Sequence, residues 1–491
     1  NENLPVIFII ILNIIFFFIT FNNPWTLNDY GYFHSAKLYN LINDQMISFD
    51  PFIFKSGFGF NNEKRYMPVY YFFNQFLPIS NISFHFIIVT FHTLSCICIF
   101  YIAKKIFKRN DLSLIVSVIY ALNYSASIKV LSWNCFYAHI LAALFGFLSL
   151  LAIIKYYEKE NSKKRLIFFY LTLSTLSTLT TESGLIFPIM SFFIVIFFFS
   201  KKNFISKSLI IFSPIIIFIL MVFFNTGKIL PILEGRVAQD RQIDYESKFN
   251  PYKDNKVYYY RSTYAPRNFE SYIVRSIDNI LVSFNLTSFE KIIKFYDKSE
   301  VIKNNLKKYF YYYALFILLI SILSLNQIVK KNYNFKNSKE LKYSLILYLI
   351  IFLVYTIIFF RRDINLGLSF CTGLLVSFFL KDLIGKNKNI IKNIILIIFF
   401  SPAFIYSLTL FSYWGEDWGP RYQMENEAKY IKDMTANKVI IKNMKNFSDY
   451  KNYYYFYNFK DYKDILVNKY KGKTFIEFQN LISEDEIQKI N

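Results

Sequence analysis

A carboxylate follows the first long apolar stretch of the chain and stands among side chains that can bind ligands or transfer protons. Asp29 begins the stretch "DYGYFHSAK", which also contains Tyr30, His34 and Lys37. A carboxylate at the mouth of a cavity is suited to removing a proton from a hydroxyl group. The alternative is a structural role, because Asn28 or Asp29 also fits the N-cap of a following helix. The residues alone leave both roles open.

An acid and a pair of arginines are further candidates, each at an expected turn between two apolar segments. Glu182 lies in "TLTTESGLIFPIM", and an acid at membrane depth is a functional-site candidate because its burial is costly. It also fits the first turn of the next helix, where negative charge is favoured. Arg361 and Arg362 in "FFRRDINLG" present planar guanidinium groups that suit phosphate oxygens. Anchoring at lipid headgroups and pairing with Asp363 are the alternatives for these two.

The stretch "RYMPVYYFFNQFL" begins at Arg65 and leads into a predicted helix, because Pro68 fits a first helical turn. Arg65 is a candidate substrate-binding residue, and snorkelling at the membrane interface is the alternative. The four histidines form no HExxH pattern and the four cysteines form no CxxC pair. We therefore expect no required cofactor and leave assistance by a divalent metal ion open. His139 is expected to be a hydrogen-bonded helix residue.

The composition excludes an ordinary soluble enzyme and indicates an α-helical multi-pass membrane protein. Hydrophobic residues make up 54% of the 491 residues, and they fall in runs long enough to cross a hydrocarbon core. The number of such runs predicts about 11 transmembrane segments. We expect each of them to be a helix, because a helix satisfies its own backbone hydrogen bonds. The predicted spans are 4–21, 81–103, 112–126, 137–155, 166–181, 184–200, 208–224, 309–329, 342–360, 364–380 and 393–413.

The net charge of +22 does not indicate nucleic-acid binding, because most of the lysines lie in short connections between spans. If the spans are counted as above, five basic segments fall on one side of the membrane, which the positive-inside rule makes cytoplasmic. They are 104–109, 155–165, 201–207, 330–342 and 381–392. The long segments then face the periplasm or the cell exterior, as expected for a protein of the bacterial cytoplasmic membrane.

The sequence predicts two parts. Residues 1–413 form the transmembrane part, with large outer loops at 22–80 and 225–308. Amphipathic helices at 29–43 and 267–285 are predicted to lie along the membrane interface. Residues 414–491 are predicted to form a small extracytoplasmic α/β domain.

Five stretches together resemble the GT-C class of glycosyltransferases, which use polyprenyl-phosphate sugars, and in particular its integral O-mannosyltransferase-like branch. These stretches are "NDYGYFHSAKLYNLI" after the first span, "RYMPVYYFFNQFL" before the second, the second span with His92, "ALNYSASIKVLSWNCFYAHILAALF" at the turn from the third span to the fourth, and "TLTTESGLIFPIM". The similarity covers residues 1–200 and continues more weakly, in topology, to about residue 413. The chain departs from the pattern where Asn28 precedes a single acid and where Thr181 stands in place of the usual lysine.

The resemblance implies a specific chemistry. Asp29 would deprotonate a hydroxyl of a glycan, lipid or protein acceptor, and that oxygen would attack the anomeric carbon with inversion. A polyprenyl phosphate would leave, with Arg361 or Arg362 stabilising its negative charge. Tyr30, His34, Lys37, Arg65 and Glu182 would contribute to substrate binding. A polysaccharide polymerase or ligase, and a flippase for lipid-linked oligosaccharides, are the alternatives.

Overall fold

The chain is built from α-helices throughout the part that its structure, a computed structural model, describes. That part comprises residues 3–21, 67–77, 81–123, 126, 131, 137–158, 164–199, 204–226, 269–284, 339–359 and 366–385. The α-helices in these ranges are α1 (Leu4–Thr20), α2 (Pro68–Asn74), α3 (Asn81–Phe107), α4 (Asn110–Leu122), α5 (Tyr137–Glu158), α6 (Arg165–Thr180), α7 (Ile186–Ile194), α8 (Phe204–Thr226), α9 (Phe269–Ser283), α10 (Lys339–Leu353) and α11 (Leu366–Gly385). A 3₁₀ turn (Glu182–Leu185) precedes α7, and π-helical turns follow α7 (Val195–Phe199) and α10 (Val354–Phe359).

Most of the predicted spans coincide with helices. The exceptions lie outside the described residues, as do the predicted helix at 29–43 and the α/β domain at 414–491; the spans concerned are 309–329 and 393–413. Within the described residues, four segments are long and apolar enough to cross a membrane: Ile82–Phe107, Tyr137–Glu158, Glu182–Phe199 and Ser208–Asn225. These four support a helical membrane protein. The total number of spans stays a prediction.

Polar side chains inside the apolar helices are accommodated by bonds to their own helix. The Asn13 side chain donates to the carbonyl of Ile9 at 2.8 Å, and the Thr20 hydroxyl donates to that of Phe16 at 2.9 Å. Thr93 and Thr372 bond in the same way to the carbonyl four residues earlier. Such bonds satisfy the polar group locally, which explains how these residues fit in otherwise apolar helices.

Side-chain contacts at one end of the bundle join the helix ends that flank all five predicted basic segments. The pairs are Lys105 with Glu158 (Nζ–Oε2 2.8 Å), Phe107 with Phe378 (ring centroids 4.3 Å), Phe198 with Phe378 (6.2 Å) and Phe197 with Tyr343 (4.9 Å). These pairs bring together the ends of α3, α5, α7, α10 and α11. We call this the inner end of the bundle, where the positive-inside rule expects the cytoplasm, and we call the opposite one the outer end.

Helix α5 lies at the centre of the bundle and packs against α3, α6 and α7. It is buried along most of its length. A β-carbon added to Gly146 would overlap the ring of Phe187, so glycine is required for the close approach of α5 and α7. The outer end of α5, which begins at Tyr137, is thereby fixed relative to the turn that precedes α7.

Helix α4 ends earlier than its predicted span, at Leu122 rather than at residue 126. Asn123 adopts an extended backbone, and its side-chain amide donates to the carbonyls of Val282 (3.2 Å) and Ser283 (3.1 Å) at the end of α9. Its Oδ1 accepts from the backbone N–H of Ala126 at 3.1 Å. The helix stops because Asn123 bonds to a segment about 160 residues away instead of continuing the turn.

We expect Asn123→Ala to destabilise the junction between α4 and α9 by about 2 kcal/mol, because it leaves buried backbone groups without their partner. The thermal unfolding midpoint of the purified protein in detergent should fall by several degrees. Asn225→Ala is the matched control, since the exposed Asn225 bonds only within its own helix, to Met221. Equal midpoints for the two variants would show that the Asn123 bonds contribute nothing to stability.

The predicted helix at 267–285 is confirmed as α9, with an unexpected arrangement of its faces. Ser271, Arg275, Asp278 and Asn279 are all buried, each at most 1% exposed. Its large apolar side chains are exposed instead: Phe269 (76%), Ile273 (44%), Ile277 (51%) and Ile280 (43%). Polar residues face the protein and apolar residues face outward, the reverse of a helix on a water-soluble protein.

Candidate functional site

Of the eight predicted site residues, the structure describes Glu182. Asp29, Tyr30, His34, Lys37, Arg65, Arg361 and Arg362 lie outside the described residues. Glu182 can therefore be placed directly, and for several of the others the structure gives the ends of the helices that carry the chain to them.

Glu182 is the first residue of the 3₁₀ turn between α6 and α7, at the outer end of the bundle. Thr181 before it is extended, and the N–H of Gly184 donates to the Thr181 carbonyl at 2.8 Å. The Thr181 hydroxyl donates to Oε2 of Glu182 at 3.3 Å and makes no capping bond to the turn. The carboxylate is partly exposed, which keeps it accessible to a ligand. Its place in a first helical turn agrees with the structural alternative and leaves the functional one open.

A histidine and a serine tie this turn to the central helix. Nδ1 of His139, in the first turn of α5, lies 2.8 Å from the hydroxyl of Ser183. His139 is only 5% exposed, so the expectation of a hydrogen-bonded helix residue is confirmed. Ser183 could not be singled out from the residues around it, because its partner lies 44 residues earlier. This contact holds Ser183, the residue next to Glu182, against the outer end of α5.

Gly184 allows the same turn to sit close to α6. A β-carbon at this position would overlap the backbone carbonyl of Ser177, which cannot rotate away as a side chain does. The Ser177 hydroxyl in turn donates to the carbonyl of Ala142 in α5 at 2.7 Å. The turn that carries Glu182 is therefore fixed on two sides, by α5 and by α6.

Helix α2 begins with Pro68, as predicted, and brings the chain that follows Arg65 to the same region. The Tyr137 hydroxyl donates to the carbonyl of Tyr70 at 3.1 Å and contacts Oδ1 of Asn74. The rings of Tyr70 and Tyr137 stack with their centroids 4.9 Å apart. Since Tyr137 is two residues before His139, α2 is anchored beside the outer end of α5.

The start of α11 lies against α7 about one turn after Glu182. The N–H of Gly367 donates to the Tyr355 hydroxyl at 3.1 Å. A β-carbon on Gly367 would come within 2.9 Å of both Ile186 and Met190. The two ends of the connection that contains the arginine pair, residues 360–365, are thus held at the outer end near the Glu182 turn.

Among the described residues, no group of three or more His, Cys, Asp or Glu side chains is close enough to hold a metal ion. The expectation that no cofactor is required stays a prediction. What the described part of the site offers is a partly exposed carboxylate on a rigid turn, beside a histidine–serine hydrogen bond. Such a carboxylate can accept hydrogen bonds from the hydroxyl groups of a sugar.

No protein-family model matches the chain, and no curated protein matches it. Among solved structures, it is similar to the crystal structure of the Archaeoglobus fulgidus oligosaccharyltransferase in complex with Zn and sulfate, with 14% sequence identity and a TM-score of 0.48. The alignment covers 91% of this chain and 56% of that one, so the chain spans little more than half the length of that protein.

Proposed function

We propose that the chain is an inverting glycosyltransferase that moves a sugar from a polyprenyl-phosphate donor to an extracytoplasmic glycolipid, polysaccharide or protein acceptor. The observation that carries the proposal is the rigid outer-end turn, which presents the partly exposed Glu182 opposite the basic inner end. The stretches around residues 25–42, 65–77 and 178–190 that resemble GT-C glycosyltransferases support it further. The membrane would be the bacterial cytoplasmic membrane, with the site facing the periplasm or the cell exterior.

In the proposed reaction, Asp29 is the general base. It accepts the proton of the acceptor hydroxyl while that oxygen forms a bond to the anomeric carbon. The bond between the anomeric carbon and the phosphate oxygen breaks on the opposite face of the sugar, and the polyprenyl phosphate leaves. Arg361 and Arg362 stabilise the negative charge that grows on the leaving phosphate.

The distances along the chain are compatible with these roles. A residue adds at most about 3.6 Å to the span of the chain, so Asp29 is within roughly 29 Å of Phe21 at the outer end of α1. By the same limit, Arg361 is within roughly 7 Å of Phe359, and Arg362 within roughly 14 Å of Leu366. This reach is compatible with a role for the arginine pair at the outer end, near the start of α11.

The positions of charged residues favour an enzyme over a flippase. A transporter is expected to hold ionisable groups near the middle of its spans. In the four candidate spans within the described residues, the Asp, Glu, Lys and Arg side chains lie in the terminal turns: Lys104 and Lys105, Lys155 and Glu158, and Glu182. His92, near the middle of its span, stacks on the ring of Tyr120. A polymerase or ligase that uses a lipid diphosphate oligosaccharide agrees equally well with this distribution and is the second candidate.

A panel of donors separates these functions. The purified protein would be incubated with polyprenyl-phosphate sugars and, in parallel, with polyprenyl-diphosphate oligosaccharides, each with cell-envelope glycolipid as acceptor. We expect release of polyprenyl monophosphate from the first group. Release of polyprenyl diphosphate from the second group alone would establish the ligase or polymerase instead.

We expect Glu182→Gln to lower kcat/KM for transfer by about 10- to 100-fold, the size of a lost charge-assisted hydrogen bond to substrate. The unfolding midpoint should change little, because glutamine keeps an oxygen that accepts from Thr181. Glu158→Gln is the matched control, since Glu158 forms an exposed pair with Lys105 at the inner end. An equal kcat/KM in the Glu182 and Glu158 variants would remove Glu182 from the site.

A further inference from the structure

Helix α9 descends into the bundle from its outer end. The side chain of Asn279 donates to the Thr356 hydroxyl at 3.1 Å, and the Ser283 hydroxyl lies 3.0 Å from that of Tyr348. Later residues of α9 thus meet earlier residues of the α10 segment, so the two run antiparallel. At 1.5 Å per residue, Tyr348 lies roughly 16 Å below Phe359, which places the end of α9 well inside the bundle.

The end of α9 sits on the end of α4, because Asn123 donates to the carbonyls of Val282 and Ser283. Helix α4 therefore occupies only the inner part of the bundle, and α9 takes its place toward the outer end. The exposed apolar residues of α9, Phe269, Ile273, Ile277 and Ile280, then face the lipid chains. Its buried polar residues face the protein interior.

This geometry puts Arg275 near the outer end of the bundle. Eight residues separate it from Ser283, so it lies roughly 12 Å nearer the outer end, within roughly 4 Å of the level of Phe359. Its side chain is 1% exposed, and so is that of Asp278, three residues later on the same face. Ionisable groups buried at membrane depth are expected to have a functional role.

A second buried polar side chain, that of His85, lies beyond the end of α4. Its level follows from His92 of α3, which stacks on Tyr120 of α4 with ring centroids 5.8 Å apart. His85 lies on the same face of α3, roughly 10 Å nearer the outer end, and so beyond the last turn of α4. It is 0% exposed, and neither ring nitrogen forms a hydrogen bond. A buried imidazole without a hydrogen-bond partner is expensive to maintain, which makes His85 a candidate ligand-binding residue.

We propose that Arg275 of α9 and His85 of α3, which both lie beyond the outer end of α4, bind the phosphate group of a polyprenyl phosphate. The guanidinium of Arg275 is its main ligand, because a planar fork of donors matches phosphate oxygens. His85 donates a further hydrogen bond, and Asp278 positions Arg275. The inference rests on the proposed function for the identity of the lipid, and it adds ligands from the helix bundle to the predicted pair, Arg361 and Arg362.

The test is direct binding of farnesyl phosphate to the purified full chain in detergent, with farnesol and inorganic phosphate as competitors. We expect Arg275→Met to weaken binding of farnesyl phosphate by roughly 10- to 100-fold, as expected for a charge-assisted bond, and to leave binding of farnesol unchanged. Arg275→Lys should bind farnesyl phosphate with intermediate affinity, because lysine keeps the positive charge but lacks the planar guanidinium group. Arg109→Met is the matched control, since Arg109 pairs with Asp111 at the inner end (2.7 Å).

His85→Leu provides an independent readout. It should raise the unfolding midpoint, because it replaces a buried polar group by an apolar one of similar size, while weakening farnesyl phosphate binding several-fold. A residue with only a structural role would move stability and binding in the same direction. An unchanged affinity in this variant would remove His85 from the site.

The double variant Arg275→Met/Asp278→Leu covers the case in which Arg275→Met fails to fold. If Arg275 serves only to neutralise Asp278, removing both restores stability and binding together, which would overturn the proposal. If Arg275 binds phosphate, the double variant folds and still binds weakly. Normal binding by a folded Arg275→Met protein would also overturn it.

The competitors identify the source of the phosphate. Inorganic phosphate that displaces farnesyl phosphate at similar concentrations, in an Arg275-dependent way, would show a site for free phosphate and would contradict the lipid assignment.

Failure of this inference is distinguishable from failure of the proposed function. If the wild-type protein binds farnesyl phosphate but transfers no sugar, only the proposed function is contradicted. If the wild-type protein transfers sugar and the Arg275→Met variant binds farnesyl phosphate as tightly as the wild type, only this inference is contradicted.

Discussion

Asp29→Asn is expected to reduce the turnover number for sugar transfer by about 10²- to 10⁴-fold, the usual contribution of a general base. Asparagine keeps the size and hydrogen-bonding capacity of the side chain but cannot accept the proton of the acceptor hydroxyl. Donor binding should change little, because the donor contributes no proton to this step. The measurement is release of polyprenyl phosphate under saturating donor, with the unfolding midpoint recorded for the same preparation.

Asp50→Asn is the control for this experiment, since Asp50 lies in the same predicted outer loop, 22–80, and has no proposed role. It should transfer sugar at the wild-type rate. Wild-type turnover by a folded Asp29→Asn protein would rule out Asp29 as the base and would direct attention to Glu182. The Asp29 and Glu182 substitutions are expected to differ in kind, with the first acting on the turnover number and the second also on substrate affinity.

Gly184→Ala is expected to have the largest effect on the fold among single substitutions near the site. Its new methyl group would overlap the Ser177 backbone, so the 3₁₀ turn has to move as a unit. We expect a loss of about 3 kcal/mol in stability, at the upper end for overpacking, together with a drop of at least about 10-fold in transfer. The second effect follows because Glu182 and Ser183 are carried on the displaced turn.

Gly373→Ala is the comparison for this prediction. A β-carbon at Gly373 would lie 3.1 Å from a methyl carbon and the carbonyl oxygen of Val116, so shifts of a few tenths of an ångström suffice. The unfolding midpoint should fall less in this variant, and transfer should be nearly normal. If Gly184→Ala unfolds at the same temperature as Gly373→Ala, the turn is not fixed in the way its contacts indicate.

The positions of the helices were predictable because the signal is local. An apolar run of sufficient length specifies a helix by itself, since hydrocarbon leaves the backbone no other way to satisfy its hydrogen bonds. Pro68 likewise marked the start of α2 correctly. The grouping of the five basic segments followed from counting spans, and the contacts at the inner end agree with it.

The boundary of α4 was not predictable, because it depends on a partner distant in the chain. Asparagine is common at helix ends, but the carbonyls that Asn123 binds belong to α9, 159 and 160 residues later. Which face of α9 contacts the protein could likewise not be predicted. An amphipathic pattern shows that a helix has two faces, but it does not tell which one contacts protein and which contacts lipid.

The position of one candidate residue, Glu182, was predictable. The cost of an acid at membrane depth singled out Glu182, and the structure places it at an outer-end turn. The hydrogen bond between His139 and Ser183 that holds this turn could not be read from residues 44 apart. The only local sign of this hydrogen bond was a serine directly after the acid. The roles of Asp29 and of the arginine pair rest on the resemblance and on the reach of the chain.

The most direct test of the central claim, that this chain transfers a sugar rather than moving or ligating a lipid-linked one, uses a doubly labelled donor. Proteoliposomes would contain the protein and a polyprenyl-phosphate sugar labelled differently in the sugar and in the lipid, with acceptor outside. The account predicts that the two labels separate, with the sugar on the acceptor in inverted configuration and the lipid as its monophosphate. Labels that cross the bilayer together and never separate would contradict it and establish a flippase.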